Sequence, residues 1–400
     1  MPRWAAAVAA ALAVLVPAAP ARARAVECDS RPAPGKVSTA ETYAARLYDL
    51  GRLAPLATGA GIRVAVVDSG VDADHPQLTG AVAAGRDLLH GNPDARQDCV
   101  GHGTGVASII AARPVAGVPF HGLAPGVTVV PVRITEKEQI GGEETGDDGT
   151  PQEFAEAVAW AADPDRGNAD VINLSVVMTG DDAQVRRAVA DAVQAGVVVV
   201  AAAGNNGAED KGNPTPYPAS YPGVIGVGAI TAAGVRAGYS QHGEYVDLAA
   251  AGDGVTMAAT GGGHTAGNGT SYAAPYVSAT AALLLERFPG LSPAEVTRRL
   301  TATADPAPGG SRSDDYGFGL LNPYRALTET LGPRVQASPA PVVNLADDPS
   351  AVALRERRET SRDTALIVAA AGLGVVLLLG LGAVVLRRGR RRGWQPAGRG

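Results

Sequence analysis

Between Gly196 and Gly204 the chain runs through seven consecutive apolar residues, Val197 to Ala203. A run this short, bounded by glycines and rich in valine, predicts a strand buried on both faces. Such a strand needs helices packed on each side of its sheet. Similar strands are expected over Ile62–Asp68, Val127–Ile134, Asp170–Val177 and Val224–Ile230, with a shorter one over Tyr245–Ala250. Helical patterns alternate with them. One opens at His102, and Pro151–Ala162 carries a proline in its first turn. Asp182–Ala195 is ended by Gly196, Ser271 opens a helix to Arg287, and Ser292 caps the next. The succession predicts an α/β fold, a parallel β-sheet flanked by helices on both faces, with the active site on loops at the strand ends. A helical stretch is also expected over about 38–53. Thr135–Thr150, rich in Glu, Asp and Gly, predicts a solvated loop, since it lacks the Asp-x-Asp-x-Asp-Gly pattern of a calcium loop.

Three distant segments each deliver a residue suited to acyl transfer. In Val64-Ala-Val-Val-Asp68-Ser-Gly70 a strand ends in a carboxylate. In Gly101-His102-Gly-Thr-Gly105 a histidine stands between glycines. In Gly269-Thr-Ser271-Tyr-Ala-Ala-Pro275 a serine precedes an apolar run. A serine hydroxyl is a poor nucleophile near neutral pH. It needs a base in hydrogen-bond reach, and the base needs a carboxylate to fix its tautomer and stabilise the imidazolium. Each segment alone also reads as something ordinary: a turn, a flexible loop, a helix cap. The other histidines, His75, His90, His121, His242 and His264, lack such a setting and are assigned surface or structural roles. His75, in Asp72-Ala-Asp74-His75-Pro76, is read as part of a polar turn rather than a metal ligand. There is no His-Glu-x-x-His, so zinc-protease chemistry has no support, and neither a metal nor a cofactor is expected.

The three motifs, in this order, resemble those of the subtilisin-like serine proteases over about residues 59–330. The resemblance implies that Asp68 orients the histidine, His102 is general base and then general acid, and Ser271 attacks the scissile carbonyl. A fourth match, Val197 to Gly207, implies that the Asn205 amide donates to the oxyanion, together with the backbone N–H of Ser271. It also implies that Ile172-Asn-Leu-Ser175-Val176-Val177 pairs with the backbone of a polypeptide substrate by strand addition. Family members commonly have glycine where this chain has Val177 and Met178. The larger side chains imply a narrowed pocket that prefers small or specific residues.

Composition and the ends of the chain bear on location. The formal net charge is −6 although arginines crowd both ends, so the body is acidic and nucleic-acid binding is disfavoured. Met1-Pro-Arg3 followed by the apolar, alanine-rich Trp4–Ala19 reads as a secretory signal peptide cut near Ala23 or Ala25. Ala365–Leu386 is an uncharged run of 22 residues, long enough to cross a bilayer, and Arg387, Arg388, Arg390, Arg391 and Arg392 follow it. The expected topology puts the catalytic domain outside the cytoplasm and a short basic tail inside. Only two cysteines occur, Cys28 and Cys99, and both fall in the exported part, where a disulfide between them is expected.

The expected order is therefore a signal peptide (1–25), an N-terminal extension (26–58), a peptidase domain (59–330), a proline-rich linker (331–364), a transmembrane helix (365–386) and a basic cytoplasmic tail (387–400). This layout resembles the mycosins, membrane-anchored proteases of type VII secretion systems. It implies processing of exported substrates and contact with membrane components of that machinery. Two other readings stay open at this stage. One is a structural subunit of the secretion complex in which proteolysis is secondary, and the other is a general cell-surface protease.

Overall fold

The structure, a computed structural model, describes residues 28, 32–92, 94–140, 143–310, 312–332 and 387–388. The chain divides into two compact units, Met1–Leu331 and Gly332–Gly400, and in the second only Gly332, Arg387 and Arg388 are described. The first unit opens with α1 (Tyr43–Tyr48) and α2 (Leu50–Leu53). The single helix expected here is broken at Asp49, whose backbone is left-handed (φ 49°, ψ 62°), a conformation aspartate tolerates better than most residues. Next come β1 (Arg63–Asp68), β2 (Arg86–Asp87), α3 (His102–Ala111) and β3 (Thr128–Arg133). The acidic stretch expected as a loop instead holds a small antiparallel hairpin, β4 (Glu138–Ile140) and β5 (Glu143–Thr145). The sequences Glu-Gln-Ile and Glu-Glu-Thr carry no apolar alternation to announce it.

The chain continues through α4 (Pro151–Ala162), β6 (Val171–Leu174), α5 (Ala183–Gln194), β7 (Val198–Ala202), β8 (Val224–Ile230) and β9 (Leu248–Ala251). A second hairpin, β10 (Val255–Ala258) and β11 (His264–Gly267), precedes α6 (Thr270–Arg287), α7 (Pro293–Ala302) and α8 (Pro323–Thr328). Seven strands form one sheet in the order β2-β3-β1-β6-β7-β8-β9, and every pairing in it is parallel. Side chains alternate across this sheet as a strand's two-residue period requires. Val64 and Val66 of β1 join the core with α3 and α6, while Ala65 and Val67 join the opposite core with α4 and α5. Burying one such valine or leucine contributes about 1.5–3 kcal/mol, so the apolar runs hold the layers together.

β6 stops at Leu174, short of the expected Val177, because Met178 exchanges both backbone hydrogen bonds with Tyr217 and draws the chain out of the sheet. The described part of the N-terminal extension is bound at several points. Cys28 and Cys99 form a disulfide. Gly35 N–H donates to Gly262 O (2.9 Å), His264 N–H to Lys36 O (3.0 Å) and Ser38 N–H to His264 Nδ1 (2.8 Å). Among the described residues no helix is long and apolar enough to cross a membrane, and no cluster of His, Cys, Asp and Glu is arranged to hold a metal ion. The run 365–386, the leader 1–25 and nearly all of the linker and tail lie outside the described residues.

Candidate active site

Asp68 is the last residue of β1, level with Arg133 of β3 and fully buried. Its Oδ1 accepts two hydrogen bonds, from Ser69 N–H (2.7 Å) and from His102 Nδ1 (2.7 Å). A carboxylate can only accept, so the Nδ1 of His102 carries the proton and Nε2 of the neutral ring is left as the basic nitrogen. His102 is the first residue of α3. That helix can come so close to β1 only because its second residue is glycine. A Cβ on Gly103 would lie 2.1 Å from Gly70 O and 3.1 Å from Asp68 Oδ1. Burial disfavours a charged imidazole here, but the Asp68 charge and its hydrogen bond outweigh that, with the Asp98 charge added, and the His102 pKa is raised.

The imidazole is partly exposed and its ring lies 5.1 Å, centroid to centroid, from that of Tyr272. Tyr272 follows Ser271, so this contact joins the start of α3 to the start of α6. Ser271 is the second residue of α6 and is buried. An N–H at that position has no acceptor within its own helix, and the positive end of the helix dipole lies there. Asn205 stands just beyond β7 and faces the same point. Its Oδ1 accepts from Thr270 N–H (2.8 Å) and Thr270 Oγ1 (3.0 Å), and Thr270 Oγ1 itself accepts from Gly204 N–H (2.9 Å). The backbone donor fixes which end of the amide is oxygen, so Nδ2 is the free end. A Cβ on Gly269 would sit 2.8 Å from Ser271 Oγ and 3.4 Å from Asn205 Nδ2, so hydroxyl and amide border one small space that glycine keeps open.

The remaining residues expected at the site divide into two kinds. Ser175 is buried and its hydroxyl points inward, donating to Ser271 O (2.9 Å) and accepting from Asn173 Nδ2 (2.9 Å). The reason is four residues away. Pro275 lies inside α6 and has no N–H, so the helix cannot satisfy the Ser271 carbonyl, and Ser175 does. Val176 and Val177 follow in the segment between β6 and Met178, each partly buried. Val177 packs on the core beneath α6, and Val176 and Met178 pack on the opposite one.

Sequence reasoning missed Asp98. It is buried and receives five hydrogen bonds, four from the loop and helix that carry His102 and one from Ser69, just beyond β1. The available signal was an acidic residue just ahead of a helix start, within capping range. Sequence reasoning also missed Arg133, fully buried, with Nη1 2.9 Å from Asp87 Oδ2 and Nε donating to Ser69 O (2.9 Å).

Comparison with known proteins places the chain among the serine endopeptidases. The description "Subtilase family" matches residues 59–319. Mycosin-1 of Mycobacterium tuberculosis is 35% identical over 389 residues, which cover 84% of this chain and 82% of the relative. Subtilisin of Bacillus pumilus is 37% identical over 265 residues, covering 66% of this chain and 90% of its own length. A solved structure of the serine protease MycP1, described as an essential component of the type VII (ESX-1) secretion system, superposes with a TM-score of 0.64 at 31% identity. That match covers 76% of this chain and 94% of the solved one.

Proposed function

The chain belongs to the subtilase family, and on that premise we propose how it acts as a serine endopeptidase of the mycosin kind. Ser271 Oγ attacks the scissile carbonyl while His102 Nε2 takes its proton. Asp68 holds the Nδ1 proton and stabilises the imidazolium. Asn205 Nδ2 and the Ser271 N–H stabilise the oxyanion, and His102 then protonates the leaving amine. Water, activated by the same histidine, releases the acyl group from Ser271. The observation that carries the reading is the 2.7 Å bond from His102 Nδ1 to a fully buried Asp68, beside a helix whose second residue is Ser271.

The substrate is a polypeptide laid along Ser175–Val177. Because the Ser175 hydroxyl is already engaged, contact there is through the backbone. Val177 and Met178 narrow the site for the residue before the cut. Peptides with alanine at that position are therefore cleaved in preference to those with phenylalanine, and the reverse order in a competition assay would sink this.

The protein is held in the cell membrane by one helix over 365–386, with the catalytic domain outside and the basic tail inside, after removal of 1–25. The uncharged run and the arginines that follow it support this topology. There it processes exported substrates and supports a type VII secretion complex.

The test is fluorophosphonate labelling of the full-length protein in detergent, followed by mass mapping. Modification of Ser271, abolished in His102→Ala, is the expected result. A folded, oxidised sample that stays unmodified overturns the mechanism.

A further inference from the structure

Asp98 lies in the loop ahead of α3, and every contact it makes is with a donor. Its Oδ1 accepts from Ser69 Oγ (3.0 Å), Val100 N–H (3.1 Å) and Gly101 N–H (2.8 Å). Its Oδ2 accepts from Thr104 N–H (2.8 Å) and Thr104 Oγ1 (2.6 Å). Both hydroxyls donate to Asp98 while their oxygens each accept an N–H. Gly103 donates to Ser69 Oγ (2.9 Å) and Asp72 to Thr104 Oγ1 (3.0 Å). Five donors therefore converge on one carboxyl group, an arrangement that suits the anion and leaves no acceptor for an acid proton. Burial works the other way and raises the Asp98 pKa, as does the nearby Asp68 charge, while the hydrogen bonds from Thr104 and Gly101 oppose them.

The loop is anchored on both sides of this residue. The carbonyl of Gln97 accepts from Arg133 Nη2, whose side chain is fully buried, and Cys99 is bonded to Cys28. The carboxylate thus reaches the N–H groups of Gly101 and Thr104 directly and that of Gly103 through Ser69. These are the residues on both sides of His102.

A histidine at the first position of a helix meets an electrostatic difficulty. The N-terminal end of the dipole, about half a positive charge, opposes any cation formed there. Gly101, at the cap position, offers no side chain to offset it. We propose that Asp98 is a positioning residue of the active site: its carboxylate caps α3, fixing where His102 leaves the helix, and its buried charge offsets the dipole against which the imidazolium must form. The inference rests on His102 being the base. Asp68 holds the ring from the strand side, and Asp98 holds the helix that carries it. These two carboxylates are the charged groups that act on His102.

The experiment is the pH dependence of fluorophosphonate inactivation for full-length wild type, Asp98→Asn and Ser69→Ala in detergent, with thermal unfolding measured in parallel. An unlabelled wild type overturns the assignment of His102 as base. With labelling in place, Asp98→Asn is expected to slow the limiting rate about ten- to a hundredfold, as misplacement of a catalytic group does. Its acid limb is also expected to move to lower pH, because a charge favouring the imidazolium has gone. A cap that only stabilised the helix would lower the unfolding temperature and leave the limb in place, so an unmoved limb overturns the proposal whatever the rate. If Asp98→Asn does not fold, Ser69→Ala decides. It breaks the bridge to Gly103 and keeps the charge, so the limiting rate falls about fivefold with the limb unmoved. An unchanged rate in that variant overturns the positioning role.

Discussion

Two helices begin at the reaction centre, and their starts are finished in opposite ways. At the start of α3 a buried carboxylate, Asp98, gathers the N–H groups of Gly101 and Thr104. At the start of α6 the Thr270 N–H goes instead to the neutral oxygen of Asn205, and no acidic side chain stands in the first turn. In both helices the cap position is a glycine that makes no side-chain cap bond, so the difference comes from elsewhere in the chain. It matches the chemistry. In the proposed mechanism His102 at the first start gains a proton in the same step in which negative charge develops beside Ser271 at the second. A carboxylate supports the cation, and an uncompensated dipole with a free amide N–H supports the anion. The general lesson is that identical helix starts acquire opposite electrostatic character from what the neighbouring loop brings to them.

The comparison breaks most visibly if the second start is given the charge of the first. Asn205→Ala removes one oxyanion donor and is expected to cost about 100- to 1,000-fold in kcat with little change in KM, a magnitude established for such an asparagine in a subtilisin. Asn205→Asp should fall below the alanine variant, because it adds a repelling charge where the oxyanion forms. Its fold should hold or gain slightly, since a carboxylate at a helix N-terminus contributes about 0.3–1 kcal/mol. Steady-state kinetics beside thermal unfolding reads both. An aspartate variant more active than the alanine variant would mean that the open start has no electrostatic role.

A smaller effect sharpens the first start. The raised pKa of His102 puts the midpoint of the acid limb above the ordinary imidazole value of 6.5. Activity requires the neutral base, so it grows as pH rises through that midpoint. The contribution of His102 to stability has the opposite sign. A group whose folded pKa is raised stabilises the fold fully below its unfolded value, and that support is lost as pH rises through the folded one. Between 6.5 and the raised value, activity gained and stability lost should therefore run together. A kcat/KM profile with its acid midpoint below 6.5 would show that desolvation outweighs the carboxylates.

Much of this site was legible because its parts sit at ends of strongly patterned elements. The apolar run into Asp68 announces β1, the run into Asn205 announces β7, and the patterns behind His102 and Ser271 announce α3 and α6. What escaped depends on contacts between distant residues with no local pattern. Asp98 looks like any acidic residue before a helix until Ser69, 29 positions earlier, is folded against it. The hairpin of β10 and β11 lies between two buried elements without a clear alternation of its own. Ser175 was read as part of the substrate strand, because nothing near it reveals that its hydroxyl faces a carbonyl 96 residues further on.

That last contact gives the mildest of the tests, and it concerns how the second start is kept rigid. Pro275 removes the N–H that would bond the Ser271 carbonyl, and Ser175 Oγ supplies a substitute at 2.9 Å. Ser175→Ala leaves that buried carbonyl without this partner and is expected to cost about 1–3 kcal/mol in unfolding free energy, with a several-fold loss in kcat. Pro275→Ala returns an N–H to the helix at the right place. The serine substitution should then cost markedly less in the Pro275→Ala background than alone, because the two partners compete for one acceptor. Equal costs in the two backgrounds would show that the Ser271 carbonyl does not depend on Ser175. The rigidity of the α6 start would then have to come from Thr270 and Asn205 alone, whereas the α3 start is held by Asp98 from its own loop and by Ser69 from the end of β1.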